Sequence, residues 1–299
     1  MSPHLHVASQ SWQVSALLSL TVGCTALAYL AGWRRLRSIS SNVIHAWHLA
    51  SCLLGLFLIW VALASPVAAL DAHWLTAHMA KHLLLMTIAP PLVLLGTPLR
   101  ALWHGLPRPL ANAVLGPLFR RLPEQRIGRE FGLLAVCWIA STATIVGWHV
   151  PAVFAVGMRS AAWHTVEQAS FVATGFLFWW PVVRPWPRVT AWPRWSLVLY
   201  LFLATLPCDV LSAFLVFSER VAYPAYLSAS PHGELSALAD QQTAGALMWT
   251  CITIVYLVAG TILTTRLLSA PSVHDGFAQW ESATHVVPRK DSPRVEGVW

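Results

Sequence analysis

His78 and His82 stand at i and i+4, so on a helix both imidazoles leave the same face. His164 and Glu167, three apart, share a face in the same way. His149 is followed closely by Pro151, and Asp240 by Gln241, Gln242 and, two turns on, Met248. Two imidazoles one turn apart in an apolar stretch each need a polar partner, and one shared metal ion serves both. A proton relay or a quinone site answers the same need, and spacing alone leaves these readings open. If a metal is held, imidazoles with a carboxylate suit Zn, Cu, Fe or Ni. Thioether from Met248 or thiolate from Cys251 shifts the preference towards Cu(I).

The elements that position these groups follow from composition. The chain has 299 residues, 57% hydrophobic and 10% charged, against roughly 25% charged in an average soluble domain. Charge that scarce cannot solvate a globule of this size, which excludes an ordinary cytosolic enzyme, a disordered chain and a nucleic-acid-binding module. Seventeen Trp and 20 Pro fit interfacial aromatics and broken helices in a bilayer. About 20 apolar residues cross the hydrocarbon, and seven stretches qualify: 13–32, 45–63, 77–95, 131–148, 165–183, 197–217 and 244–267. The first ends at Arg34-Arg35 and lacks the marks of a cleaved signal. The third contains Pro90-Pro91, which breaks or kinks its later part.

Basic residues choose the orientation. Arg34, Arg35 and Arg37 follow the first span; arginines 100, 108, 120, 121, 126 and 129 follow the third; Arg184, Arg188 and Arg194 follow the fifth. Arg266, Arg289, Lys290 and Arg294 end or follow the seventh, which puts sixteen of the nineteen Lys and Arg on one side. Lys81, Arg159 and Arg220 are the remainder. The positive-inside rule then gives an all-α, polytopic membrane protein of seven transmembrane helices, N-terminus outside and C-terminus cytoplasmic. Residues 1–12 form an outer N-terminal segment and 13–268 the transmembrane domain. Its cytoplasmic loop 96–130 is interfacial, with Leu99, Leu102, Trp103 and Leu106 as an apolar face. Residues 269–299 read as a mobile cytoplasmic tail. In this topology the ligand-type residues of four helices meet in the outer leaflet.

Other polar groups have plainer readings. His73, His104, His232, His274 and His285 fit interfacial or capping roles, as do His45 and His48 beside Trp47 at the far end of the second span. Met79 and Met86 read as packing residues. Cys24, Cys52, Cys137, Cys208 and Cys251 all fall within spans and imply no structural disulfide. Cys208 and Asp209, beside Pro207, form a further polar pair within the sixth span, either a second relay point or a neutral carboxyl bonded to proline-freed backbone.

The chain resembles the CtaG family of caa3-type cytochrome c oxidase assembly factors. The matching residues are His78-Met79-Ala80-Lys81-His82 through Met86, Ala89-Pro90-Pro91-Leu92 and Leu95-Gly96-Thr97-Pro98. Then come Trp148-His149-Val150-Pro151, His164 with Glu167, Phe171, Gly175, Phe178-Trp179-Trp180-Pro181 and Tyr223-Pro224-Ala225-Tyr226. Last are Asp240-Gln241-Gln242, Gly245 and Met248-Trp249. Together they span roughly 45–268. The family motif on the fifth span reads His-x-x-Glu-His, and Gln168 stands here in the last place.

The resemblance implies an assembly factor of the bacterial inner membrane rather than an enzyme. Its cargo would be copper as Cu(I), and its partners a cytochrome c oxidase subunit, a periplasmic copper chaperone and membrane lipid, with no nucleic acid. The expected metal set is His78, His82, His149, His164 and Glu167, supported by Asp240 and Met248. Two other readings make different demands. A b-type haem oxidoreductase needs His82 facing His149 or His164 across a flat cavity. A metal or proton transporter would work through Asp209.

Overall fold

The computed structural model describes residues 3–39, 44–65, 70–117, 127–183, 194–229 and 234–269, and every regular element among these residues is helical. In chain order they are α1 (Pro3–Ile39), α2 (Ala46–Ala64), α3 (Leu75–Leu95), α4 (Pro98–Gly105), α5 (Arg108–Val114) and α6 (Ile127–His149). There follow α7 (Pro151–Arg159), α8 (Ala161–Val183), α9 (Arg194–Phe217), α10 (Ala225–Ala229) and α11 (Glu234–Leu268). Among the described residues six helices, α1, α2, α3, α6, α9 and α11, are long and apolar enough to cross a membrane. Their outward faces are those of a multi-pass membrane protein: Leu27 on α1, Val210 on α9 and Leu257 on α11 are each at least two-thirds exposed. The fifth expected span, α8, has the length at 23 residues. Its first turns are diluted by His164, Glu167, Gln168 and Ser170, and it is not among the six.

Several boundaries differ from the sequence reading. α1 begins at Pro3, so residues 3–12 continue the helix instead of forming a separate segment. α11 begins at Glu234, which places Asp240 inside the helix rather than before it. The turn after Pro151 is itself a helix, α7, which packs against α8. In the 96–130 loop α4 lies against α1, where a Cβ on Gly32 would stand 1.8 Å from Ala101 O and one on Gly105 2.0 Å from Ala28 O. The buried face of α4 therefore centres on Ala101 and Gly105, with Leu102 joining the core around Tyr29. Residues 270–299, and with them most of the expected tail, lie outside the described residues, as do Arg120, Arg121, Arg126 and His232.

α3 is the central helix: 67% of its apolar window is buried, against 33% or less in the other five. Its hydrogen-bond ladder changes where the prolines fall. Leu84–Ile88 form a π-helical turn, and Ala89 N–H donates to Leu84 O, five residues back. Pro90 has no N–H for Met86 O, the carbonyl four residues before it. The indole of Trp179 on α8 fills that place, its Nε1–H donating to Met86 O at 3.1 Å. Beside this contact Gly175 lets α8 approach at backbone distance: a Cβ there would meet Met86 Cα at 2.8 Å and Leu85 O at 3.0 Å. The expected break at Pro90-Pro91 is thus a wound-out turn held by α8. At the far end of α3, Tyr29 donates to Gly96 O at 2.8 Å and to His48 O at 3.0 Å, which ties α1, α2 and α3 together.

Candidate metal centre

The first turns of α3 and α8 bring their functional faces together. The N-terminus of α3 has Trp74 at the cap position, with no side-chain cap of its own. Asp240 of α11 supplies one across the bundle, its carboxylate accepting from Leu75 N–H at 2.6 Å, Thr76 N–H at 3.2 Å and Thr76 Oγ1–H at 2.6 Å. One turn further in, His78 and His82 point their Nε2 atoms at each other, 2.7 Å apart. Glu167 Oε1 stands 3.4 Å from the first and 3.3 Å from the second. All three side chains are almost fully buried, and among the described residues they form the group whose ligand atoms lie within 4.8 Å of one another.

This set fits a metal ion. The point equidistant from the three atoms lies about 1.8 Å from each, close to the ~2.0–2.1 Å of a metal–imidazole bond, so these three residues would hold an ion together. Nδ1 of His78 and Nδ1 of His82 are buried without a hydrogen-bond partner. In resident sites that second nitrogen usually donates to an acceptor that stiffens the ring; here it is bare, and the rings are held by the contacts of their Nε2 atoms with each other and with Glu167 and by packing. His82 lies on Phe171 at 3.9 Å between ring centroids, and His78 meets Phe154 edge-on at 5.1 Å.

A compensating charge group adjoins the triangle. His164 Nδ1 faces Glu167 Oε2 at 3.3 Å, and its Nε2 faces Asp71 Oδ2 at 3.2 Å. Only the doubly protonated ring donates to both carboxylates. Lys81 on α3 is also buried; it forms an ion pair with Asp71, and its Nζ lies 3.3 Å from His164 Nε2. Two cations and two carboxylates thus balance. Asp71 lies ahead of α3. Burial pushes its carboxyl up, but the hydrogen bonds from His164 and Lys81 and their charges outweigh burial and hold it at about 2. Tyr226 O–H donates to Asp71 O at 2.8 Å and fixes the loop.

The remaining expected ligands fall in two classes. His149 and Met248 stand next to the triangle, on the walls of a cavity of about 20 Å³ shared with Met79, His82, Met86, Thr87 and Phe171. Asp240 does not join: its carboxylate is occupied by the cap of α3. Gln241 is fully buried and structural, accepting from Ala222 N–H at 2.7 Å and donating to Arg220 O at 3.2 Å. Cys251 and Asp209 are not among the clustered residues. Sequence reasoning missed Asp71 and Met79. A lysine one residue before His82 in an apolar span was the available signal for Asp71, since such a charge needs a counter-ion. Met79 gave none, because an isolated methionine on a helix reads as packing.

A family model described as cytochrome c oxidase caa3 assembly factor (Caa3_CtaG) matches residues 27–270, most of the chain. Neither the curated proteins nor the solved structures provide a match.

Proposed function

The chain belongs to the cytochrome c oxidase caa3 assembly factor family, and from that premise we propose that it holds copper in the bacterial inner membrane and hands it to a subunit of a haem–copper cytochrome c oxidase. The observation that carries the reading is the buried meeting of His78, His82 and Glu167 at one end of the bundle. Copper is cargo here, not a resident cofactor, and no reaction is assigned to the protein. Two imidazoles and one carboxylate leave an ion short of four strong donors, and ligand exchange needs that open position. The bare Nδ1 atoms of His78 and His82 favour release over retention, since lost outer-sphere bonds cost about 10–100-fold in metal affinity. His164 and Glu167 keep the cluster charge-balanced before copper arrives.

The topology that suits this role has seven spans, with α8 counted among them and the N-terminus outside. Sixteen of the nineteen Lys and Arg then lie in cytoplasmic segments. The cluster then lies in the outer leaflet, within reach of a periplasmic copper chaperone and of the oxidase. A haem reading is disfavoured by space: the cavity that His82 and His149 line, about 20 Å³, admits one atom-sized occupant and no macrocycle.

Copper content of protein purified under reducing conditions tests the proposal. Copper should copurify with the parent chain and fall to background in His78→Ala/His82→Ala. Background copper in the parent, or unchanged copper in the double variant, removes this reading.

A further inference from the structure

His149 Nε2 lies 3.2 Å from Met79 Sδ, with both side chains buried. The other ring nitrogen, Nδ1, is 2.7 Å from Ile145 O, a group that can only accept. A neutral imidazole has one N–H, and here it is directed at Ile145. Nε2 therefore presents a lone pair to a thioether lone pair, a contact between two acceptors with no hydrogen to share. The backbone bond also gives His149 the outer-sphere acceptor that a metal-ligating histidine uses to fix its tautomer, and which His78 and His82 lack. Tyr223 O–H holds the same residue by donating to His149 O at 2.9 Å.

The cavity beside this pair is lined by two more methionines, Met86 and Met248, and by His82. Its volume of about 20 Å³ suffices for one small occupant. Among the described residues no carboxylate lines it, so a divalent ion would carry two uncompensated charges into an apolar span, while a monovalent ion carries one. Thioether donors select Cu(I) among the biological metals.

We propose that His149 and Met79 form a second, softer site for a monovalent soft cation, Cu(I) or its surrogate Ag(I), with Met86 and Met248 as further thioethers. His82 borders both this site and the His78/His82/Glu167 triangle, so it is the side chain on which an ion changes hands. The inference deepens the copper reading by giving it a place where sulfur, not oxygen, completes the coordination.

X-ray absorption at the silver edge of the full chain in detergent, loaded with Ag(I), reads the site directly. Sulfur should appear in the first shell of the parent, and its contribution should fall by about a third or more in Met79→Leu, a swap of similar volume. A parent shell of nitrogen and oxygen alone, or sulfur unchanged in Met79→Leu, overturns the proposal. If Met79→Leu does not fold, the selenium edge of selenomethionine-labelled parent serves instead: a selenium–silver contact supports the site and its absence overturns it. The two readings fail separately. Protein that copurifies without copper yet binds Ag(I) through sulfur keeps this site and loses the delivery role. Copper bound through nitrogen and oxygen only keeps the delivery role and loses this site.

Discussion

Lys81 carries a positive charge into the bundle at 5% exposure, and Asp71 answers it from a loop ten residues earlier. Truncating one member of such a pair strands the other, a loss of about 3–5 kcal/mol, whereas replacing both can be nearly neutral. Asp71→Asn should therefore lower the thermal midpoint in detergent markedly, and Asp71→Asn/Lys81→Met should recover most of it. A double variant no better than the single one would show that the pair is not what Asp71 is for. The pH dependence has a definite sign. The folded carboxyl sits at about 2, below the roughly 3.9 of an unfolded chain. Its contribution is fully present above about pH 4 and drains away as pH falls through the folded value. The gap between melting curves of the parent and of Asp71→Asn should stay constant from pH 7 to about pH 5 and narrow progressively as pH falls from about 4 towards 2. Helical spacing made His78 with His82, and His164 with Glu167, legible in the sequence, because periodicity alone decides which residues share a face. Asp71 and Met79 were not legible, since one sits in a loop and the other meets its partner, His149, from a different helix. Asp240 was legible as polar but not in its role: a carboxylate near a helix start reads as a ligand or as a local cap, and here it caps a different helix.

The helix α3 is the element on which this arrangement depends, and its shape is held from outside. Pro90 deprives Met86 O of its donor, Trp179 replaces it, and Gly175 makes room for the approach. The same α8 that supplies Trp179 carries Glu167 just over three turns earlier, so the seam between α3 and α8 sets where the carboxylate meets the two imidazoles. Trp179→Phe leaves a buried carbonyl unpaired and should cost about 1–3 kcal/mol. Gly175→Ala drives a Cβ to 2.8 Å from Met86 Cα, and overpacking of that kind costs about 1–3 kcal/mol. Because the displaced element carries Glu167, metal retention should fall further in Gly175→Ala than in Trp179→Phe at matched thermal stability. Copper or Ag(I) content measured beside each melting curve separates a lost geometry from a merely weakened fold. Pro90-Pro91 announced an interruption in the sequence, but its form depended on an indole nearly ninety positions away. Pattern within one helix carries no trace of that partner.

For the whole molecule, the question left by composition is the parity of the spans. Among the described residues six helices qualify as crossing segments, and α8 has the length of a seventh but a polar first third. Two of those polar residues serve the cluster on α3, Glu167 buried against His78 and His82 and His164 bridging two carboxylates. Hydropathy understates a helix whose polar groups face the bundle instead of lipid. Buried pairing also removes the cost that would keep such a segment out of the hydrocarbon. Its outward side chains, Val166 at 48% exposure and Trp163 at 51%, suit the interfacial and lipid-facing surface of a spanning helix. Seven spans place the two termini on opposite faces of the membrane, and six place them on the same face. Reporter fusions distinguish these outcomes: a fluorescent protein that folds only in the cytoplasm should light up at the C-terminus, and a phosphatase active only outside should work at the N-terminus. Both reporters active in those positions fix an odd count and put the His78/His82/Glu167 cluster in the outer leaflet. A fluorescent C-terminus with an inactive N-terminal phosphatase would leave α8 lining the bundle without crossing, and copper would then have to reach the cluster by another route.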